Sequence, residues 1–586
     1  MRPLTAVLLS LGMVLAACSE SAPGEPDPDT AAGFFAPDRV LKVEIEIPTA
    51  DWDELRFQTR TLSDILGGDC LAGPPDDIFT FYPASVSVDG ERFDEVALRK
   101  KGFLGSLSYE KPSLKLRFDK YVEGQLLGGE MKRLTLNNVQ QDPSRLNTCM
   151  SYQVYAAAGM PAPRCNFATV SVNGTDLGLY VHVESIKKAF LRRNFATDEG
   201  NLYEGTLSDF REGWSGTFEK KTNEVENDWS DIEAVTRALS DPSETGTAAL
   251  AEIIDIDHFL SFWALEVIIG HWDGYAGNRN NNYIYREPDG RFLFIPWGPD
   301  SSFAHLDHPF DNLDRDETPQ SVTAHGGIAH RLYQEASSRE NYLQRLRDLL
   351  EQVWDEDALL AEIDRMSDIV QEHALSSTRG DAMQDTERLR DFVLERRGVI
   401  LDEVDGENAQ WPWPLDPANI CWAEQGAVDL SFDARWGTHN ASNITQEGDV
   451  DVSSYLVDNQ QLSFVSGGAT AGYETRPEAE GMATISLGNV QDDGTLELLV
   501  IRTWPELLQN NYILPFDEWV THGYRVVIPP PYTSPQVVGR LGSGTIEFTQ
   551  AATSSNARVA GQVRAILYDL GQAPAPYSDP GSKPGG

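Results

Sequence analysis

Basic residues are scarce in this chain: 47 Lys and Arg stand against 91 Asp and Glu, a net charge of −44. Such a surface repels phosphate backbones, so no nucleic-acid partner is expected. Cysteine is rare as well, five in 586 residues. No two cysteines form a CxxC or a Cys/His pattern, which disfavours a structural zinc site. Apart from Cys18 these are Cys70, Cys149, Cys165 and Cys421. In an exported chain they can pair, and a link among the first three is expected ahead of one to distant Cys421. No GxxxxGK[ST], HExxH or GxSxG motif is present, which removes the corresponding NTPase, zinc-protease and α/β-hydrolase chemistries. Fixed-period repeats are also missing, and no apolar run is long enough to span a membrane.

What is present begins with Met1-Arg2, an apolar run from Ala6 to Val14, and Leu15-Ala16-Ala17-Cys18. This pattern predicts a secretory signal rather than an anchor helix. It resembles the signals of bacterial lipoproteins, which implies that Cys18 becomes the lipidated first residue and attaches the chain to a membrane. Ser19, not an Asp, implies outer-membrane sorting, so the expected address is the outer membrane or cell surface. The expected organisation is a signal peptide over 1–18, a flexible tether over 19–35, a main domain over 36–405, a β-rich region over 406–572 and a disordered tail over 573–586.

Along the main domain, strands are expected at Val40 to Ile47, Tyr82 to Val88, Glu95 to Arg99 and Ser113 to Phe118. In the last of these, period-two geometry puts Lys115 and Arg117 on one face and Leu114, Leu116 and Phe118 on the other. A helix from about Pro143 to Ala158 follows, then a hairpin turning at Asn173-Gly174, and a helical stretch from Ile328 to Val404. Past the Trp411-Pro-Trp-Pro414 linker, seven candidate strands suggest one or two small sandwiches. Asp307, Asp311, Asp314, Asp316 and Glu317 read as a solvated acidic loop, since their spacing does not match an EF-hand.

The stretch from His258 to Phe303 carries the chemistry. An apolar helix (Phe259, Leu260, Trp263, Val267, Ile268) leads to a polar loop at Asp273. Two β-prone runs follow, Asn282 to Tyr285 and Phe292 to Ile295, joined by the turn Glu287-Pro-Asp-Gly290. Such a hairpin brings the loop before its first strand beside the loop after its second. Asp273, Asn278 or Asn282, and Asp300 should therefore meet, as the catalytic base and Mg²⁺ ligands of a protein kinase do beside ATP. His271-Trp-Asp273 has the H-x-D form and Asn278 the kinase spacing; strand register favours Asn282 instead.

Residues from about Val40 to Val404 resemble the CotH kinase family, spore-coat protein H-like bacterial proteins with an atypical kinase fold. The resemblance rests on blocks in order: Leu98-Arg-Lys-Lys-Gly102, Lys111-Pro-Ser-Leu-Lys115, Leu136-Asn-Asn138 with Asp142 and Ser144, and Pro161-Ala-Pro-Arg164. It continues through Val172-Asn-Gly174, Gly178-Leu-Tyr180, Glu184, Gly200-Asn-Leu-Tyr203, Trp272-Asp-Gly274, Asn281-Asn-Tyr283 and Pro296-Trp297 with Asp300. It implies an α+β, two-lobed kinase-like domain, ahead of the all-β, sandwich-like region that the candidate strands indicate. It also implies ATP and Mg²⁺ as cofactors and Ser or Thr hydroxyls of a protein substrate as acceptors. In that template Asp273 is the catalytic aspartate, Asn282 or Asn278 and Asp300 hold metal, and Lys115 or Lys111 steadies the phosphates. Glu184 sits where the hinge meets adenine. The chain departs from the template in three places: no GxGxxG precedes the lysine strand, the helix 143–158 carries no Glu, and Gly298 stands where many relatives have Asp. The alternative reading is a non-catalytic structural or binding lipoprotein of the cell envelope or spore surface.

Overall fold

The computed structural model describes residues 31–570, apart from 227, 307–317, 407–408, 416–418, 440–443, 463–466, 476–478 and 518–519. The signal with Cys18, most of the expected tether, the acidic cluster Asp307 to Glu317 and the tail 573–586 lie outside the described residues. Among the described residues no helix is long and apolar enough to cross a membrane.

The first strands close into a barrel instead of an open sheet. Its members are Val40–Glu46, Tyr82–Val88, Glu91–Lys101, Ser113–Arg117, Arg133–Asn137, Cys165–Val172 and Thr175–Val183. Closure comes from one parallel contact, Val40–Glu46 beside Cys165–Val172, among otherwise antiparallel pairs. Alternation fills the barrel: Leu114 and Leu116 are fully buried while Lys115 and Arg117 turn the other way. The end of the expected tether is docked rather than free. Ala32–Phe35 forms a short 3-10 helix, and the Phe35 ring stacks on His182 at 4.4 Å.

A second core joins the helix Asn147–Ala157, the helix Ile256–Ile268, the helices from Gly327 to Asp405 and a four-stranded sheet. In that sheet Asn282–Arg286 lies between Phe292–Pro296 and Asn201–Gly205. Ten of the 13 residues of Ile256–Ile268 are buried, so this helix is the axis of the core. Arg396, itself buried, donates to the carbonyls of Val267 and Ile268 and satisfies the helix's last turn.

The C-terminal region is all β; one or two small sandwiches were expected, and its described strands form one ten-stranded sheet. Successive strands pair antiparallel without a break, and the sheet curls until Trp436 bridges Ala471. It therefore covers its own apolar face.

Among the described residues there are two disulfides. Cys149–Cys165 is a link within the expected group, and Cys70 pairs with the distant Cys421, the link that was the less expected one. The reason is tertiary. The loop before Cys70 is built onto the C-terminal sheet: Trp422 N donates to Leu66 O at 2.6 Å, Gly68 N to Trp422 O at 3.0 Å, and Ser543 N to Ser63 Oγ at 2.7 Å.

Candidate active site

The hairpin has the expected form. Asn282 pairs with Pro296 at its open end, and Trp297 N donates to Asn281 O at 3.3 Å. The loops carrying Asp273 and Asp300 thus leave one end of the sheet together, and both line one cavity of about 2480 Å³.

Asp273 sits in a cage of amides. Asn278 Nδ2 and Asn281 Nδ2 donate to its two carboxylate oxygens at 2.7 and 2.6 Å, and Asn280 Nδ2 approaches both at 3.2 and 3.3 Å. Burial pushes the Asp273 carboxyl up to about 6, against these hydrogen bonds and with the repulsion of Asp300 adding to it. The loop is held from below by Glu266. Its buried carboxylate accepts from Tyr275 N at 2.8 Å and Ala276 N at 2.9 Å. Burial raises Glu266 to about 8, and His271 beside it is buried and kept neutral.

Asp300 is held through its backbone. Asp142 accepts from Ser144 Oγ and from the amides of Arg145 and Asn147, which fixes the start of the helix Asn147–Ala157. Asn147 Nδ2 then donates to Asp300 O at 3.0 Å and Ser302 O at 2.9 Å, and Gly298 N donates to the Tyr152 hydroxyl at 3.3 Å. The helix carries no Glu, as expected from sequence; its polar residues hold the Asp300 loop instead. Burial raises the Asp300 carboxyl, and the Lys101 ammonium opposes the shift.

Cations line the cavity as well. Lys101, Lys115, Arg117, Arg133, Lys187 and Lys221 all line the same cavity. Burial and the Arg99 charge bring Lys115 down to about 7, and burial brings Lys101 and Lys187 to about 8. Lys221 pairs with Glu204 at 2.5 Å and with Glu219 at 2.6 Å. Burial works against the Glu204 charge, yet the Lys221 pair holds that carboxyl down at about 2. In a chain of net charge −44, eleven Lys and Arg against nine Asp and Glu line this cavity, a local excess of cations that suits a polyanion.

Three expected site residues lie elsewhere. Asn282 is fully buried; its side-chain oxygen lies 2.8 Å from where a Gly205 β-carbon would be, and it is absent from the cavity lining, so the alternative Asn278 is the one facing the cleft. Lys111 donates to Leu179 O at 2.7 Å over the Tyr180 ring, away from the cavity. Glu184 is clamped by Arg164 at 2.8 Å and Arg193 at 2.5 Å; its neighbours Ser185, Ile186 and Lys187 line the cavity in its place. Sequence reasoning passed over Lys101, Asn280, Asn281 and the Glu204–Lys221 pair. The signals were the Lys-Lys doublet ending a strand and the polar run Asn278 to Asn282, too dense in amides for a simple turn.

A family model described as CotH kinase protein matches residues 98–400, about half of the chain and the whole of this site. The chain belongs to the CotH kinase protein family. Among CotH relatives, the inner spore coat protein H of Bacillus subtilis (strain 168) is 23% identical over 285 residues, covering 46% of this chain and 75% of that protein. Invasin CotH2 of Rhizopus delemar is 24% identical over 243 residues, covering 38% of this chain and 41% of the relative. Of solved structures, the Helicobacter pylori proinflammatory kinase CtkA aligns at TM-score 0.28 and 12% identity, over 50% of this chain and 94% of that one. The HipA–HipB–operator DNA complex of Shewanella oneidensis MR-1 aligns at TM-score 0.28 and 13% identity, over 53% and 68%.

Proposed function

We propose that this CotH-family chain is an atypical protein kinase that moves the γ-phosphoryl group of Mg-ATP to Ser or Thr hydroxyls of a protein. The observation that carries the reading is that Lys101, Lys115, Asp273 and Asp300 all line one cavity. The acceptor oxygen forms a bond to the γ-phosphorus, the bond from phosphorus to the β–γ bridging oxygen breaks, and ADP leaves with that electron pair. Asp273 orients the hydroxyl and takes its proton, for which a carboxyl near 6 is suited. Lys115 and Lys101 neutralise the phosphates, and the Glu266 and Asn147 contacts keep both aspartates in position.

Mg²⁺, when bound, would neutralise charge on the β- and γ-phosphates. Asp300 and Asn278 would hold it; an oxygen-only donor set fits this ion, which draws its other ligands from phosphate and water. Among the described residues no three His, Cys, Asp or Glu side chains gather into a preformed metal site, which agrees with a metal that arrives with its nucleotide. Lipidation at Cys18, with an address at the outer membrane or cell surface, completes the proposal. The spore-coat and invasin names of the relatives support a surface location.

The second reading, a non-catalytic envelope lipoprotein, is favoured by Gly298, whose position carries no carboxylate. Transfer of radiolabelled γ-phosphate to a Ser-rich protein decides between them. Wild-type labelling abolished by Asp273→Ala and by Asp300→Ala is expected; equal labelling by all three would overturn the assignment.

A further inference from the structure

The cavity does not end at the kinase residues. Its far wall is the outward face of the C-terminal sheet. Strand Leu496–Thr503 pairs with Thr521–Ile528 in the register Leu496↔Ile528, Leu498↔Val526, Val500↔Tyr524, Arg502↔His522, and all eight residues line the cavity. The residues of opposite parity, Leu499, Ile501 and Thr503, are fully buried in the sheet's own core. Across the strands one row runs Thr470, Ser486, Val500, Tyr524 and Arg540, again all on the cavity. Antiparallel sheets commonly alternate apolar residues inside with polar ones facing water. Here the outward face carries an apolar strip, Leu496, Leu498, Val500, Val526 and Ile528, bordered by polar Thr470, Ser486, Arg502, His522 and Arg540.

Volume and charge say what this wall is for. At about 2480 Å³ the cavity is more than twice the roughly 300–1,000 Å³ of a small-molecule site, so a nucleotide leaves most of it empty. Lys101, Lys115, Arg117 and Arg133 come from the barrel strands, and the C-terminal sheet supplies another part of the lining. An acceptor polypeptide beside the nucleotide is then offered the apolar strip of the sheet. Four residue pairs along a strand span about 20 Å, the length of a six- or seven-residue extended peptide. The Cys70–Cys421 bridge and the Trp422 contacts fasten the sheet in this position.

We propose that this face of the C-terminal sheet is the acceptor-binding wall, and that it takes an extended polypeptide whose acceptor Ser or Thr is flanked by large apolar side chains. The proposal rests on the phosphotransfer reading of Asp273. In the transfer, the peptide hydroxyl oxygen bonds to the γ-phosphorus of ATP, its proton goes to Asp273, and ADP is the leaving group. Leu498 and Ile528, both partly exposed on this face, select for the flanking residues by contact and do not touch the reacting atoms.

The test uses full-length protein, Mg-ATP and three Ser peptides whose flanks are Leu/Val, Asp or Lys. Wild type should prefer the apolar peptide through KM. Leu498→Asn should raise that KM by about tenfold or more, as the loss of apolar contacts does in a specificity pocket, with kcat and Mg-ATP affinity by calorimetry retained. Leu498→Met should behave as wild type. Should Leu498→Asn fail to fold, a peptide with a photoreactive apolar flank, used on wild type, must label strands 496–503 or 521–528. Labelling elsewhere overturns the proposal, as does labelling that takes place only after residues 571–586 are removed, which would make the chain's own tail the occupant. Transfer without flank preference, or a preference unmoved by Leu498→Asn, overturns the acceptor wall alone. Absence of Mg-ATP binding overturns the phosphotransfer reading and the wall with it.

Discussion

Asn281 occupies the space that a side chain at position 298 would need. A β-carbon on Gly298 would lie 2.6 Å from Asn281 Oδ1, and Gly298 has φ +55°, in the left-handed region. Asn281 in turn donates to Asp273 at 2.6 Å. The missing carboxylate at 298 and the amide cage around Asp273 are therefore one arrangement. Gly298→Asp is expected to destabilise the protein by about 1–3 kcal/mol through backbone strain and crowding, and to lower transfer instead of raising it. Asn281→Gly combined with Gly298→Asp should regain part of that stability. A thermal-unfolding double-mutant cycle that came out additive would contradict the coupling.

The Asp273 carboxyl, raised to about 6 by burial, works as a base only when ionised. Phosphotransfer should therefore be retained above pH 6 and fall as pH drops through 6, by about tenfold per unit well below it. The profile of kcat/KM against pH checks this. A flat profile between pH 5 and 7 would remove Asp273 as the titrating group.

Lys115 and Lys101 lie near 7 and 8 because burial disfavours their charge. A bound triphosphate would favour the charged form and raise both values, so nucleotide binding at pH 8 should take up protons. The expected sign is net uptake, diminished in Lys115→Met. Calorimetry in buffers of different ionisation enthalpy measures it; proton release, or heats independent of buffer, would contradict it.

Glu266 ties the catalytic loop to the core helix through two backbone amides. Glu266→Gln leaves one of those amides facing an N–H group and should cost about 1–3 kcal/mol. The pH dependence has a definite sign. Burial raises this carboxyl from 4.5 to about 8 in the folded state, so the native protein holds an extra proton between those values. Its stabilising contribution is full below 4.5 and is lost as pH rises through 8. The stability difference between wild type and Glu266→Gln should shrink over that window, as read from denaturant midpoints.

Cys70 and Cys421 are 351 residues apart in sequence. In the chain-entropy picture a closure this long contributes at most about 6 kcal/mol. The double variant Cys70→Ser/Cys421→Ser should unfold at lower temperature and be cut faster by protease between 405 and 424, with the Cys149–Cys165 bridge unaffected. Equal cleavage rates would show that Trp422 and Ser543 hold the sheet without the disulfide.

Local patterns were legible where the neighbouring residues alone decide the conformation. The alternation in Ser113–Arg117, the Asn173-Gly174 turn and the Glu287–Gly290 turn each set local geometry, and all formed as read. The hairpin register then carried the central inference, since pairing Asn282 with Pro296 obliges the Asp273 and Asp300 loops to leave the same end of the sheet. Strand register gave the wrong asparagine, however. Alternation says which face a side chain takes, not whether that face meets the cleft or Gly205.

The sequence by itself determined the acidic surface, the order of strands and helices, the family and the pair of aspartates, because composition and short-range periodicity are properties of neighbours along the chain. Only the tertiary structure decided which cations share a cavity with those aspartates, that Glu184 and Lys111 are occupied elsewhere, that Cys70 reaches Cys421, and that a sheet more than 150 residues downstream of Asp273 lines the same cavity. Those outcomes depend on contacts between distant segments, where burial, cavity shape and charge pairing are set by packing that no local window of sequence contains.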